Sequence, residues 1–155
     1  MTIPLGGLIT LAVLLPNFLA LSRPGEQPNS LEPNNLRKVE LLERAGQAGT
    51  FVIPFFYQIS VSALQDEVAL ALMMIFLALY YGGWWRYARG GKMEVLLYKP
   101  ILGIPLGMAV LPVLYFLAAS ILLHSLYLAV AAGILGFAHI RVSRAAQRRL
   151  ETPPR

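Results

Sequence analysis

The stretch ILGIPLGMAVLPVLYFLAASILLHSLYLAVAAGILGFAHIR, Ile101 to Arg141, decides the fold class. Apart from tyrosine, its ionisable residues are two histidines and the terminal arginine. As one helix at ~1.5 Å per residue it would be about 60 Å long, twice the ~30 Å hydrocarbon core of a bilayer. The polar pair His124-Ser125 lies near its middle. We therefore expect two membrane-crossing helices, residues 101–122 and 127–141, joined by a tight turn at this pair.

The composition of the whole chain also indicates a membrane protein. Of its 155 residues, 57% are hydrophobic and 14% are charged, whereas soluble domains average about 45–50% and about 25%. A soluble domain of this size leaves much of its surface in water, so it could not hide so many apolar side chains. The chain has no cysteine, which excludes disulfides, thiolate metal sites and Fe–S clusters.

Three further apolar runs precede this stretch. Residues 3–22 carry no charge and lack the basic start of a signal peptide, so we expect them to be retained as a first span, kinked at Pro16. The second span is expected over 45–64, preceded by an amphipathic extension, and the third over 68–85. A short polar turn, Gln65 to Glu67, separates these two spans.

The basic residues test this count of five spans. All thirteen Lys and Arg residues fall in the first loop, the third loop or the C-terminal tail, which five spans place on one side of the membrane. A four-span count would leave five arginines on the other side. Because Lys and Arg accumulate in the cytoplasm, we predict an all-α bundle of five transmembrane helices in a bacterial-type inner membrane. Its N-terminus is expected outside, and residues 142–155 form a basic cytoplasmic tail.

The second helix carries a polar stripe that identifies the first candidate site. Glu40, Glu43, Gln47 and Thr50 recur every three or four residues and share one face. Because lipid cannot satisfy polar groups, this face should contact protein or a water-filled cavity. His139 is expected at the same depth as Glu43. Two interpretations stay open: a polar pocket facing the cytoplasm, or side chains bonded internally between helices.

Small residues on the same helix favour close packing. Gly46 and Gly49 should let another helix approach closely, and the fifth span has a small-residue packing face of its own, Ala129, Ala132, Gly133 and Gly136. In the fourth span, Pro112 and nearby glycines predict a packed kink.

The segment YYGGWWRYARGGK, Tyr80 to Lys92, combines aromatic, glycine and basic residues at the predicted cytoplasmic end of the third span. Tyr and Trp favour the membrane interface. Tyr81, Trp84 and Trp85 are expected on one side of the helix, and Tyr80 on another. We include Tyr81 and Trp84 in the candidate ligand site. The residues expected to contact lipid head groups are Arg86, Arg89, Lys92, Arg141, Arg144 and Arg148.

No catalytic motif, metal-ligand set or cofactor fingerprint is present in the sequence, and neither metal nor cofactor is expected. His124 and His139 lie about 22 Å apart along a helix, too far to share a metal. Membrane lipids are the expected partners, in a homo-oligomer or a larger complex, and nucleic acid is not expected. These features favour a non-enzymatic accessory or lipid- or amphiphile-binding component. The alternative is a small transporter or integral enzyme that acts on an amphipathic substrate from the cytoplasmic side.

Four short segments resemble a set of small bacterial multi-span membrane proteins. They are IPLGG…LLPNFLAL, NNLRKVELLERAGQAGTFVIPFF, YYGGWWRY and AHIRVS. The shared features are a Pro-Asn pair in the first helix, a Leu-Glu followed by spaced glycines, an aromatic pair before tryptophan, and a terminal histidine. The resemblance implies a multi-span topology and transfers no catalytic residue.

Overall fold

A computed structural model describes residues 5–20, 34–91 and 93–151, with side chains described over 5–17, 37–91 and 93–150. The described part of the chain is all-α. Its six α-helices, in chain order, are α1 (Gly6–Ala20), α2 (Asn34–Val52), α3 (Leu64–Arg89), α4 (Val95–Tyr98), α5 (Gly107–Leu122) and α6 (Leu126–Glu151). A 3-10 helix, Ile53–Phe56, follows α2 directly.

The turn between α5 and α6 lies where the sequence predicts it. Helix α5 ends at Leu122 and α6 begins at Leu126. His124 adopts a left-handed backbone conformation, with φ of 48°. The buried Ser125 hydroxyl accepts a hydrogen bond from the backbone N–H of Leu128 at 3.3 Å, which caps the start of α6. α6 then continues without a break through the basic tail as far as Glu151.

Helix α5 is the centre of the bundle. It packs along α3 on one side and α6 on the other, while α2 packs along the far side of α6. Leu111, Phe116 and Ala119 on α5 are completely buried. Helix α1 lies against the 3-10 helix, α2 and α3. The short α4 packs on α3, α5 and α6, at the end of the bundle where α3 finishes and α5 starts.

Close packing at the glycines of α2 is present, and α6 is the helix that packs there. A Cβ atom placed on Gly46 would lie 2.6 Å from the backbone nitrogen of Leu135, and one on Gly49 would lie 2.8 Å from the Cβ of Ala131. The partner number falls as the α2 number rises, so the two helices run antiparallel. Gly136 meets Val113 of α5 in the same way, at 2.8 Å. Helix α6 is therefore held closely on two sides.

The helix expected over 45–64 ends early, at Val52. Pro54 lies in the second position of the 3-10 helix, and a proline both lacks an N–H and disfavours the α conformation in the residue before it. The Phe51 carbonyl, at the end of α2, accepts a hydrogen bond from the Thr10 hydroxyl at 3.0 Å. Residues 57–63 are non-helical and lead to α3.

Two other boundaries differ from expectation. The predicted polar turn at 65–67 is the first turn of α3, because the Asp66 carboxylate accepts hydrogen bonds from the backbone N–H groups of Ser62 and Ala63, both at 3.0 Å. A carboxylate there also complements the positive end of the helix. At the other boundary, α5 starts at Gly107 and not at Ile101. The preceding segment folds into a turn in which Ile101 and Ile104 exchange backbone hydrogen bonds.

Helix α1 continues through Pro16 to Ala20. Proline removes the N–H that would bond the carbonyl four residues earlier, which here is Ala12. The Tyr81 hydroxyl of α3 donates to that carbonyl at 2.7 Å. The side chain of Asn17 donates to the next carbonyl, that of Val13, at 3.4 Å. Side chains therefore restore hydrogen bonding around the proline and tie α1 to α3.

Two of the described helices are long and apolar enough to cross a membrane: Leu64–Arg89 and Leu126–Leu150. The apolar segments Gly6–Asn17 and Gly107–Leu122 are shorter.

Candidate functional site

A cavity of ≈ 380 Å³ lies near the end of the bundle where α3 finishes and α5 begins. Each of the six helices contributes at least one residue to its wall. The apolar part is formed by Val13, Phe51, Leu97, Met108, Ala109, Pro112, Phe116 and Leu135. The polar and amphipathic part is formed by Asn17, Gln47, Tyr80, Trp84, Tyr98, His139 and Ser143. Mostly apolar walls with a few convergent polar groups are typical of small-molecule sites.

Three of the six candidate ligand residues line this cavity: Gln47, Trp84 and His139. A fourth, Glu43, is joined to it through His139, since its Oε1 lies 2.5 Å from the histidine Nδ1. The side chains of the pair are 13% and 30% exposed. Their similar depth allowed this contact, which is present and fixes the orientation of the imidazole at the cavity wall.

The other two candidates, Thr50 and Tyr81, have no place in the cavity wall. Thr50 is fully buried and its hydroxyl donates to backbone carbonyls of its own helix, those of Gly46 at 3.0 Å and Gln47 at 3.1 Å. Tyr81 donates to the α1 carbonyl that Pro16 leaves free. Thr50 is thus bonded within α2 and not between helices, whereas Tyr81 links α3 to α1.

The aromatic residues at the end of α3 face different sides of the helix from those that the sequence predicted. Trp84 lines the cavity together with Tyr80, which lies four residues earlier on the same helix face. Trp85, predicted to share a side with Trp84, is 64% exposed. Tyr87 packs edge-on against Trp84, with 5.5 Å between the ring centroids.

Four polar lining residues were not among the candidates: Asn17, Tyr80, Tyr98 and Ser143. The Tyr80 hydroxyl donates to Asn17 Oδ1 at 2.9 Å, so these two residues form one polar group between α1 and α3. The Pro-Asn pair in an apolar helix could have identified Asn17 as a candidate, because a buried asparagine needs hydrogen-bond partners. Nothing in the sequence indicates that Tyr98 or Ser143 reaches the cavity.

Two buried donors near this site, Trp84 Nε1 and Arg86 Nε, make no hydrogen bond of ordinary geometry with a described residue. The Tyr80 ring meets the indole edge-on, with 6.3 Å between centroids. The Tyr80 hydroxyl donates to Asn17, and its oxygen is a weak acceptor for the indole N–H. Trp84, Tyr80 and Asn17 therefore form one polar group between α1 and α3.

Helix α5 carries a proline in the cavity wall. Pro112 has no N–H to bond the carbonyl of Met108, four residues earlier, and both residues line the cavity.

Helix α4 closes the cavity at the end where the chain is basic. Its residues Leu97 and Tyr98 line the wall. The Arg86 guanidinium holds this segment in place by donating to the carbonyls of Pro100 at 2.8 Å and of Leu96 and Lys99, both at 3.1 Å. Burial raises the pKa of Tyr98, and the Glu94 carboxylate beside it adds to the shift. Its hydroxyl therefore stays protonated at neutral pH.

The other basic residues lie around the same end of the bundle. Arg89 stacks over the Trp85 ring, 4.8 Å from its centroid, and Arg141 stacks over Phe137 at 4.5 Å. Arg144 is exposed, and Lys92 lies outside the described residues. Arg86 differs from the predicted head-group role, because its terminal nitrogens bind backbone carbonyls. Head-group binding by the remaining residues, including Arg148, stays a prediction.

The opposite end carries a contact between a carboxylate and a histidine that the sequence did not suggest. Asp66 is fully buried, and its Oδ1 lies 3.2 Å from Nε2 of His124. This contact ties the start of α3 to the turn between α5 and α6. Within the part of the chain that the structure describes, no three His, Asp or Glu side chains come together as metal ligands.

Comparison with protein-family models, with curated proteins and with solved structures gave no match for this chain. The resemblance to small multi-span bacterial proteins therefore stays a prediction.

Proposed function

We propose that this protein is a five-span integral component of a bacterial-type inner membrane that binds a small amphipathic molecule in the cavity, without catalysing a reaction. The observation that carries the proposal is the cavity itself. It combines mainly apolar lining residues with a few polar ones, among them Asn17, Gln47 and His139. A ligand with a hydrocarbon part and a polar head matches both kinds of wall.

The exposure of the long helices supports a membrane location. In the most apolar stretches of α3 and α6, only 22% and 33% of the residues are buried inside the protein. A core helix of a soluble protein would be mostly covered. Large apolar side chains such as Ile75, Val130 and Phe137 are more than half exposed. In a bilayer this surface faces hydrocarbon, so it needs no further partner.

Helix direction supports five spans. Antiparallel packing of α2 on α6, and the turn joining α5 to α6, bring the described basic residues to one end and Asp66 and His124 to the other. The positive-inside rule then assigns the basic end to the cytoplasm. Helices α1 and α5 have 15 and 16 residues, about 22–24 Å at ~1.5 Å per residue. They would cross with the help of neighbouring non-helical residues or of local bilayer thinning.

The topology is testable because the chain contains no cysteine. Ser60→Cys, in the exposed segment before α3, should react with a membrane-impermeant maleimide on intact spheroplasts. Lys99→Cys, at the basic end, should react only after the membrane is permeabilised. The reverse labelling pattern would contradict the proposed orientation.

Binding is tested by filling the cavity. Ala109 is buried in its wall, so Ala109→Phe should occupy space that the ligand needs. Exposed Ala78 on α3 provides the control, Ala78→Phe. Lipid extract from the source membrane, added to delipidated protein, should raise the unfolding temperature of wild type and Ala78→Phe but not of Ala109→Phe. Equal shifts in all three proteins would refute binding in the cavity.

A second candidate, transport of or chemistry on the same amphiphile, rests on the Glu43–His139 pair. A carboxylate and an imidazole 2.5 Å apart at a cavity wall can exchange a proton. This candidate predicts ligand flux in proteoliposomes that depends on pH and is lost in Glu43→Gln, whereas simple binding predicts no flux.

A further inference from the structure

We propose that the cavity binds an amphiphile with a carboxylic acid head group, and that His139 takes the head-group proton at Nε2 while Glu43 holds the imidazole in place. This inference rests on the proposed binding function and names the chemical class of its ligand. It follows from the orientation of the His139 ring, from the other titratable groups of the wall, and from the polar side chains on either side of His139.

The contact with Glu43 leaves one nitrogen of His139 for a ligand. The Glu43 Oε1 lies 2.5 Å from the histidine Nδ1, so a proton is shared between these two atoms. The Nε2 atom is on the other side of the ring, and no hydrogen bond joins it to a described residue. The His139 side chain is 30% exposed and lines the cavity. Nε2 is therefore the nitrogen that a molecule in the cavity can reach.

The same contact prepares Nε2 to accept a proton. With the shared proton on Nδ1, the neutral ring keeps its lone pair on Nε2. When Nε2 gains a proton, the resulting imidazolium lies against the Glu43 carboxylate, which stabilises its charge. A head group that donates a proton therefore suits this atom, whereas an ether or an ester leaves it without a partner.

His139 is the lining residue that can change its charge near neutral pH. The described lining residues of α1 and α5 carry no titratable group, and those of α3 and α4 include Tyr80 and Tyr98, whose type ordinarily keeps its proton up to about pH 10. From α2, the Glu43 carboxylate faces the ring. Arg86 directs its terminal nitrogens to carbonyls of the α4 segment. A proton that a ligand releases in the cavity therefore goes to His139.

Two polar side chains flank His139 on the same side of the cavity. Ser143 follows His139 by one turn of α6, and Gln47 follows Glu43 by one turn of α2. Because α2 and α6 run antiparallel, Gln47 and Ser143 lie on opposite sides of His139 along the bundle. All three line the cavity. The amide and the hydroxyl are donors for the oxygens of a carboxylate.

The hydrocarbon part has a place next to these donors. Phe51 lies one turn beyond Gln47 on α2, and Leu135 lies one turn before His139 on α6. Both line the cavity. The Phe51 ring packs against Phe116 of α5, with 6.1 Å between ring centroids. A ligand with its head group at His139 would therefore extend its chain away from the basic end, along this apolar surface.

Proton transfer distinguishes a carboxylic acid from other polar head groups. The acid O–H bond breaks and the Nε2–H bond forms, which leaves a carboxylate beside an imidazolium and does not change the net charge of the cavity. Hydrogen bonds between ionised groups are roughly twice as strong as neutral ones. An alcohol donates to Nε2 but stays neutral, and a methyl ester has no proton to donate.

The two histidines of the chain provide matched variants. His139→Gln keeps a polar side chain at the cavity but cannot take the proton. His124→Gln makes the same change at the other end of the bundle, where the histidine also faces a carboxylate, that of Asp66. Wild type and both variants, in nanodiscs, are titrated calorimetrically with decanoic acid, decanol and methyl decanoate. Empty nanodiscs give the baseline for probe that dissolves in lipid.

Decanoic acid should bind wild type at one site, with a dissociation constant about tenfold or more below those of decanol and methyl decanoate. His139→Gln should lose this preference, and His124→Gln should keep it. Glu43→Gln keeps the shape of the side chain but removes the charge that stabilises the imidazolium, so it should weaken binding of the acid about tenfold.

A second measurement follows the proton in wild type. Decanoic acid labelled with 13C at the carboxyl carbon is observed by NMR at a pH where the acid in empty nanodiscs is protonated. The bound acid should show the chemical shift of a carboxylate. The chemical shift of a protonated acid in the bound state would refute transfer to Nε2.

The outcomes separate the two levels of the proposal. If decanol or methyl decanoate binds as tightly as decanoic acid, or if His139→Gln keeps the preference for the acid, the head-group inference is wrong while the binding function stands. If none of the three probes binds wild type above the baseline of empty nanodiscs, the proposed function fails with it.

Discussion

The contact of Gly46 with α6 gives the sharpest test of the packing. In Gly46→Ala the new Cβ would lie 2.6 Å from the backbone nitrogen of Leu135 and 2.8 Å from its Cα. Backbone atoms cannot rotate away, so the two helices must separate. Overpacking of this kind costs about 1–3 kcal/mol. Alanine also favours the helix by up to ~1 kcal/mol over glycine, and this gain must be measured separately.

Gly133→Ala provides that measurement. Gly133 is on α6 and has no atom within 4 Å of an added Cβ, so the control includes the propensity gain without the clash. We expect Gly46→Ala to be less stable than Gly133→Ala by about 1–3 kcal/mol, measured by equilibrium unfolding in mixed micelles with increasing SDS. Free energies of unfolding within ~0.5 kcal/mol of each other would refute the close approach of α2 and α6.

Two other substitutions test hydrogen bonds from side chains to the backbone. Tyr81→Phe leaves a partly buried carbonyl of α1 without this donor and should lower the unfolding free energy by about 1–3 kcal/mol. The control Tyr127→Phe, whose side chain is 75% exposed, should change it by less than ~0.5 kcal/mol, and equal effects would contradict the assignment. Arg86→Lys replaces a planar fork by a point charge, so hydrogen exchange of the α4 amides should accelerate. Arg89→Lys, which alters only a stacking contact at the exposed Trp85, should leave that exchange unchanged; acceleration in both variants would contradict the role of Arg86.

Sequence patterns anticipated the features that follow from spacing and composition. The turn at His124-Ser125 was predictable because one apolar run was twice the length of a span. Small residues at helical spacing predicted close packing at Gly46 and Gly49, although not that α6 is the partner. The similar depth of Glu43 and His139 allowed a contact between them without requiring one.

Other features depend on geometry that hydropathy does not encode. The apolar run of the second helix continues past Val52, so hydropathy does not show that α2 ends there. Pro54 is the cause of that end. Trp84 and Trp85 are adjacent on α3, so their side chains point in different directions. Hydropathy does not show which of the two faces inward. The role of Arg86 depends on where the α4 segment folds back, and no local pattern specifies that position.

Binding in the cavity is the central claim, and native mass spectrometry of protein extracted directly from membranes tests it without choosing a ligand. Wild type and Ala78→Phe should each carry one small amphiphile per protein, seen as a discrete added mass that dissociates on collisional activation. Ala109→Phe, with its cavity filled, should appear as the bare chain. A bare wild-type protein, or the same added mass on Ala109→Phe, would contradict the account.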